Sequence, residues 1–202
     1  VHGYVENGRL PVATGDAQGS EERVKASLAS LDRVVRSLES DAARDPLTGI
    51  FNRRTCATRL EGDLARARRS GVPLSIAIFD LDDLKVINDG DGHVAGDVAL
   101  RHLADVLQGV VREGDWVARW GGDEFLVGFW SADGPAALSA VERVLERLAT
   151  EPAMLGDRPH ALRASVGVAQ AVPEDDATGL FSRADAALLQ TKRQNRGRVM
   201  LA

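Results

Sequence analysis

The sequence predicts a mixed α/β domain with a helical segment on its N-terminal side, and three observations carry that expectation. Short runs rich in β-branched and aromatic residues, at 74–79, 116–129 and 162–169, alternate with longer segments of helical period at 94–108, 135–150 and 180–194. The middle run is interrupted by Gly121-Gly122-Asp123-Glu124, which reads as the turn of a β-hairpin. Upstream, Val24, Leu28, Leu31, Val35, Leu38 and Ala42 recur at steps of three and four, the a/d seam of a heptad repeat.

Composition bounds what such a chain does. Its 202 residues suffice for one domain with a full core and an appendage. A hydrophobic content of 44% and a charged content of 27% are ordinary for a globular protein. The net charge of −5 and a pI near 5.4 exclude a broad basic surface for nucleic acid. No apolar run has the length of a membrane span. Cys56 is the single cysteine, so an internal disulfide is ruled out and a reducing, cytoplasmic setting is expected. The four histidines are scattered without zinc-ligand spacing. The chain begins at Val1 rather than Met, and the expectation is an excerpt whose upstream part holds a sensor or a membrane anchor.

In order along the chain, residues 1–20 hold four glycines and one proline with little periodicity, and read as a tail or the end of a preceding domain. Residues 21–44 carry the heptad seam. It is narrow, as in a two-stranded coiled coil, against the plainer reading of an amphipathic helix packed on its own domain. Asp45-Pro46 breaks that helix and opens the domain at 45–202. Gly49 permits a turn, and Asn52 is placed to cap a helix running to about Ser70.

The strand at Leu74–Phe79 runs into Asp80-Leu81-Asp82-Asp83-Leu84-Lys85, with three carboxylates in four residues. That suits a metal site beside a phosphate-binding lysine, the plain alternative being a solvated acidic turn. In the hairpin turn the glycines allow positive φ and close approach of a ligand. Asp123 beside Glu124 costs repulsion that a hard cation would convert into binding, whereas the plain reading is an ordinary turn with a solvated Glu124. Arg112-Glu113-Gly114-Asp115, just before the hairpin, reads by itself as a solvated charge pair. Lys192 and Arg196, near the end of the last helix, read by themselves as solvated cations at a helix C-terminus.

Five stretches together resemble the GGDEF family, the diguanylate cyclases. Arg119 to Phe125 is similar to its eponymous signature. Asp45 to Arg54 matches D-x-L-T-G-L-x-N-R-R, with Ile50 for Leu. Phe79 to Asp97 follows F-D-I-D-x-F-K-x-I-N-D-x-x-G-H-x-x-G-D, with Leu84 for Phe and a looser Gly90-Asp91. Leu162 to Ala169 resembles the family's S-x-G-x strand, and Ala184 to Lys192 its A-D-x-A-L-Y-x-A-K helix, with Leu189 and Thr191 departing from it. The resemblance implies a palm-like fold, α/β (α+β), with a central, mainly antiparallel sheet wrapped by helices.

It also implies an enzyme that condenses two GTP into cyclic di-3′,5′-GMP and two pyrophosphates. Asp80, the Leu81 carbonyl, Asp123 and Glu124 would hold Mg²⁺, two ions per active site with Mn²⁺ as a substitute, and Asp123 or Glu124 is the candidate base. Lys85, Lys192 and Arg196 would meet phosphate, Asn88 and Asp97 would read guanine, and His93 and Gly121 would lie at the nucleotide. Guanine's N1–H and N2–H₂ are donors that an aspartate accepts. Arg112 and Asp115 match an R-x-x-D inhibitory site for the product, with Arg143 completing it. One domain holds one GTP, so a homodimer is implied, through the N-terminal helix and facing active sites, with no nucleic acid and no membrane segment in the chain. The rivals are a non-catalytic cyclic di-GMP receptor, which has no need of Asp80, Lys85, Asp123 and Glu124, and a cyclase using ATP, against which Asp97 counts.

Overall fold

The computed structural model describes Lys25, Ser27, Leu28, residues 42–194 and residues 196–202. The chain divides into two units, Val1–Ala42 and Ala43–Ala202. In the first, Lys25, Ser27 and Leu28 are helical, and the Leu28 side chain is 59% exposed. The rest of the heptad seam, apart from a helical Ala42, and the tail at 1–20 lie outside the described residues.

The second unit is built on β2 (Leu74–Leu81), which is buried at all eight positions because helices cover both faces of its sheet. Ala77, Phe79 and Leu81 point to one face and Ile76 and Ile78 to the other, as the period of two dictates. The hairpin partners β3 (Trp116–Arg119) and β4 (Glu124–Trp130) lie on one side of β2, and β7 (Ala164–Gln170) on the other. These pairings are antiparallel, while the short edge strands β1 (Phe51–Asn52) and β8 (Val199–Leu201) run parallel to β3 and β7.

Two helix layers sandwich the six-stranded sheet. Helices α1 (Arg53–Ser70) and α5 (Ala177–Gln194) pack Leu60, Leu64, Leu180 and Leu188 on the Ile76 face. Helices α2 (Leu84–Asp91), α3 (His93–Val110) and α4 (Gly134–Thr150) pack Ile87, Leu103, Leu107, Val141 and Leu148 on the Phe79 face. Gly167 lets α5 approach closely: a Cβ there would stand 2.1 Å from the Ala184 carbonyl.

Local signals set the boundaries. The Asn52 side chain accepts the N–H of Thr55 at 3.0 Å, and Gly71 ends α1 at φ 68, so this helix runs as its sequence reads. Five short elements were not foreseen: α2, β1, the two-stranded pair β5 (Ala153–Leu155) and β6 (Arg158–His160), and β8. Each has eight residues or fewer, too few to show a period, and α2 buries only Ile87 and ends in Gly90-Asp91. Among the described residues, no helix is long and apolar enough to cross a membrane.

Candidate active site

Register brings the site together. Asp80, near the end of β2, pairs directly with Glu124, the first residue of β4. One step on, the Leu81 N–H donates to the Asp123 carbonyl at 3.1 Å. Two acidic segments more than forty residues apart thus meet at one sheet end. The Asp80 side chain is largely buried, and Lys192 on α5 places its Nζ 2.6 Å from Oδ2.

The electrostatics show the strain of this meeting. Burial pushes the Asp80 carboxyl above the usual carboxylate range; Lys192 offsets part of this, and Asp123 and Asp82 add to it. Burial raises Glu124 as well, helped by Asp80 and Asp123, with Lys192 opposing and Asp185 adding a little. Among the described residues, however, no three carboxylates, histidines or cysteines converge into a ready metal cage. Asp80, Asp123 and Glu124 are therefore neighbours, with an ammonium on Asp80, and not a preformed three-ligand site. The donor set fits a hard divalent cation in its chemistry, since such an ion offsets the burial and the repulsion that raise both carboxyls.

The glycine turn works differently from its sequence reading. Neither Gly121 nor Gly122 is among the positive-φ glycines. A Cβ on Gly121 would stand 2.9 Å from Glu124 Oε2, so a larger residue there would push that carboxylate aside. The N–H groups of Trp120 and Gly121 both donate to the Glu124 carbonyl, at 2.8 and 3.2 Å. Arg119 closes the turn from outside through its Nη2, 2.7 Å from the Gly122 carbonyl.

The acidic run after β2 separates into three roles. Only Asp80 stands opposite Glu124. Asp82 is buried and accepts the Ser165 hydroxyl at 2.9 Å. Asp83 adopts φ 60 and takes two arginines, Arg196 Nη1 at 2.8 Å and Arg163 Nη2 at 3.2 Å. A cavity of about 310 Å³ opens here, lined by Asp80, Asp83, Lys85, Asp123, Lys192 and Arg196 among others. Arg163 escaped the sequence reading, although a lone cation inside the β-rich run at 162–169 was a usable signal.

The residues expected to read guanine occupy the corner between α2 and α3. Gly92 turns it at φ 82, its N–H donating to the Asn88 carbonyl at 3.0 Å. The Asn88 carboxamide lies over Gly96, where a Cβ would stand 2.0 Å from Oδ1, and the half-buried Asp97 is the next residue. His93 is exposed at the start of α3. None of these three side chains lines the 310 Å³ cleft, so the corner is separate from it.

The Arg112–Asp115 loop is not a solvated charge pair. Asp115 Oδ2 accepts the backbone N–H of Arg112 at 3.0 Å, and Oδ1 accepts the N–H of Trp130 at 2.9 Å. The carboxylate thus pins the loop to the end of β4, while Arg112 is exposed. Arg143 is exposed on α4, which runs antiparallel to α3. Arg147 lies over Gly109, and the Glu151 carbonyl is 2.7 Å from His102 Nε2. One helical turn back from Arg147, Arg143 lies towards the end of α3 from which Arg112 follows.

Comparison with known proteins agrees with this geometry. The family profile described as "Diguanylate cyclase, GGDEF domain" matches residues 42–198. Diguanylate cyclase DgcP of Pseudomonas aeruginosa is 34% identical over 196 residues, covering 90% of this chain and 29% of the relative. Diguanylate cyclase DosC of Escherichia coli is 34% identical over 185 residues, covering 89% of this chain and 40% of the relative. The chain thus spans well under half the length of these relatives. Among solved structures, the coiled coil and GGDEF domain of DgcB from Caulobacter crescentus, in complex with c-di-GMP, superposes with a TM-score of 0.81 at 30% identity. That match covers 90% of this chain and 98% of the other.

Proposed function

The chain belongs to the GGDEF family, the diguanylate cyclases, and on that footing we propose that residues 45–202 condense two GTP into cyclic di-3′,5′-GMP with release of two pyrophosphates. The observation that carries this reading is the pairing of Asp80 with Glu124 beside Lys192, at the mouth of a cleft lined with further cations. A receptor for the product has no use for such an arrangement.

The attacking 3′-hydroxyl of one GTP displaces pyrophosphate from the α-phosphorus of the other. Asp80, Asp123, Glu124 and the Leu81 carbonyl would hold Mg²⁺, two ions with Mn²⁺ as a substitute, and the metal would supply charge to neutralise the triphosphate and lower the pKa of the hydroxyl. Asp123 or Glu124 is the candidate proton acceptor for that hydroxyl. Lys85, Lys192 and Arg196 meet the phosphates of substrate and leaving group. Asn88 and Asp97 read the guanine edge at the α2–α3 corner, with His93 and Gly121 beside the nucleotide.

Each domain supplies one GTP, so two must face each other, as a two-fold dimer through the N-terminal helix arranges. The reaction runs in the cytoplasm, on cellular GTP. Arg112, Asp115 and Arg143 bind the product and slow the enzyme; that the Caulobacter crescentus relative was solved in complex with c-di-GMP supports product binding by such a domain. Incubation of the purified chain with GTP and Mg²⁺, followed by nucleotide chromatography, tests the proposal. Cyclic di-GMP and pyrophosphate are expected, with no product from ATP; intact GTP after prolonged incubation would overturn it.

A further inference from the structure

Asp83 puts a negative charge at the rim of a cleft that has to take a triphosphate. It occupies the N-cap position of α2 in the left-handed region, yet its side chain makes no capping bond. Its two oxygens are instead divided between two cations, Oδ1 to Arg196 and Oδ2 to Arg163. The three residues are held close by the backbone. The Asp82 N–H donates to the Arg163 carbonyl at 2.9 Å, and a Cβ on Gly197, which is at φ 74, would stand 3.5 Å from Arg163 Cδ.

We propose that Asp83 holds Arg196 until substrate arrives, and that Arg163 keeps Asp83 neutralised once Arg196 has moved to the triphosphate. This rests on the phosphate role assigned to Arg196 above. Without Arg163, the transfer would leave a bare carboxylate beside the incoming phosphates and oppose their binding through like charge. Asp83, Arg163 and Arg196 are all more than a third exposed, so each pair is individually weak and readily exchanged. Arg163 is thus a positioning residue: it sets affinity through Asp83 and never touches the nucleotide.

The test is a double-mutant cycle of Arg163→Gln and Asp83→Asn on the full chain. Asparagine tolerates the left-handed backbone at position 83, so the fold is retained. Two readouts are needed: KM against kcat for GTP, and calorimetric binding of 3′-deoxy-GTP with Mg²⁺, which lacks the attacking hydroxyl. Arg163→Gln is expected to weaken binding about two- to fivefold, the range an exposed ion pair supports, with the loss in KM rather than kcat. Asp83→Asn is expected to tighten binding, and the double variant to bind like Asp83→Asn alone. An Arg163→Gln loss of equal size in the Asp83→Asn background, or no loss at all, would overturn this inference and leave the cyclase reading in place. A wild-type chain that binds no guanosine triphosphate would overturn both.

Discussion

Arg119 ties Asp45 to the turn that carries Asp123: its Nη1 stands 3.3 Å from Asp45 Oδ1, and its Nη2 stands 2.7 Å from the Gly122 carbonyl. Asp45 also accepts the N–H and hydroxyl of Thr48, at 2.9 and 2.7 Å. The first residues of the domain are therefore one side chain away from the turn that carries Asp123.

That link predicts a pH signature. Burial alone would raise the Asp45 carboxyl, but the hydrogen bonds from Thr48 and the charge of Arg119 outweigh it and hold the group low. A depressed carboxyl stabilises the fold above its unfolded pKa and loses that contribution as pH falls through the folded value. Asp45→Asn should cost about 1–2 kcal/mol at neutral pH, and the gap should close in acid, where the wild-type carboxyl is itself protonated. Urea denaturation at the two pH values checks this; a gap that persists in acid would refer the loss to the asparagine instead.

Glu124 predicts the opposite sign. Its carboxyl is raised, so ionisation costs the native state free energy above the folded pKa, and the cost is relieved as pH falls through it. Glu124→Gln should therefore melt at a higher temperature than wild type at neutral pH while losing product formation by at least roughly a hundredfold. Mg²⁺ should raise the melting temperature of the wild type and leave that of the variant nearly unchanged. Equal responses to Mg²⁺ would remove Glu124 from the metal site.

Much of this was legible in the sequence, and the reasons differ by element. Asn52 declares its helix because a cap is a local signal. The strands at 74–81 and 124–130 declare themselves by composition, but their register, which sets Asp80 against Glu124, comes only from the packing of the whole sheet. Gly121 was expected to supply a positive φ and does not; that it leaves room beside the Glu124 carboxylate is visible only once that side chain is placed. Asp115 looked solvated because its partner at Trp130 lies on the far strand of the hairpin. Asp82 and Asp83 read in the sequence only as members of an acidic run, and their non-local partners at Ser165, Arg163 and Arg196 appear only in the fold.

Base selection should depend on how Asn88 sits on Gly96. Asn88→Ala and Asp97→Ser should each lower the preference for GTP over ATP by at least about tenfold, since a site built to pair guanine leaves groups unmatched against adenine. Gly96→Ala should reproduce Asn88→Ala without touching a polar atom, because the new Cβ would stand 2.0 Å from Oδ1 and displace the carboxamide. Competition kinetics between the two nucleotides measure all three, and full GTP selectivity throughout would move guanine reading elsewhere.

The heptad seam predicts a concentration dependence. Leu31 occupies a seam position, and Leu31→Glu would place a charge between paired helices. Specific activity should rise with protein concentration in the wild type and fall in the variant at equal concentration. Ultracentrifugation beside the assay tests it, and activity independent of both would rule out dimerisation through this helix.

Product inhibition should separate Arg112 from Asp115. Both carboxylate oxygens of Asp115 accept backbone N–H groups, one in its own loop and one on β4, so removing them strands two donors. Asp115→Ala should cost about 1–3 kcal/mol of stability on that account. The Arg112 side chain is exposed and free to offer its planar fork to a phosphate and its face to a purine, with Arg143 reaching the same end of the helix pair. Arg112→Ala should therefore melt with the wild type, keep its initial rate and lose inhibition by cyclic di-GMP. Arg143→Ala should weaken that inhibition by a smaller factor. Calorimetry with cyclic di-GMP, run beside melting curves for all three variants, distinguishes the roles: unchanged affinity in Arg112→Ala would dismiss the site, and an unaltered melting temperature in Asp115→Ala would free its carboxylate for guanine.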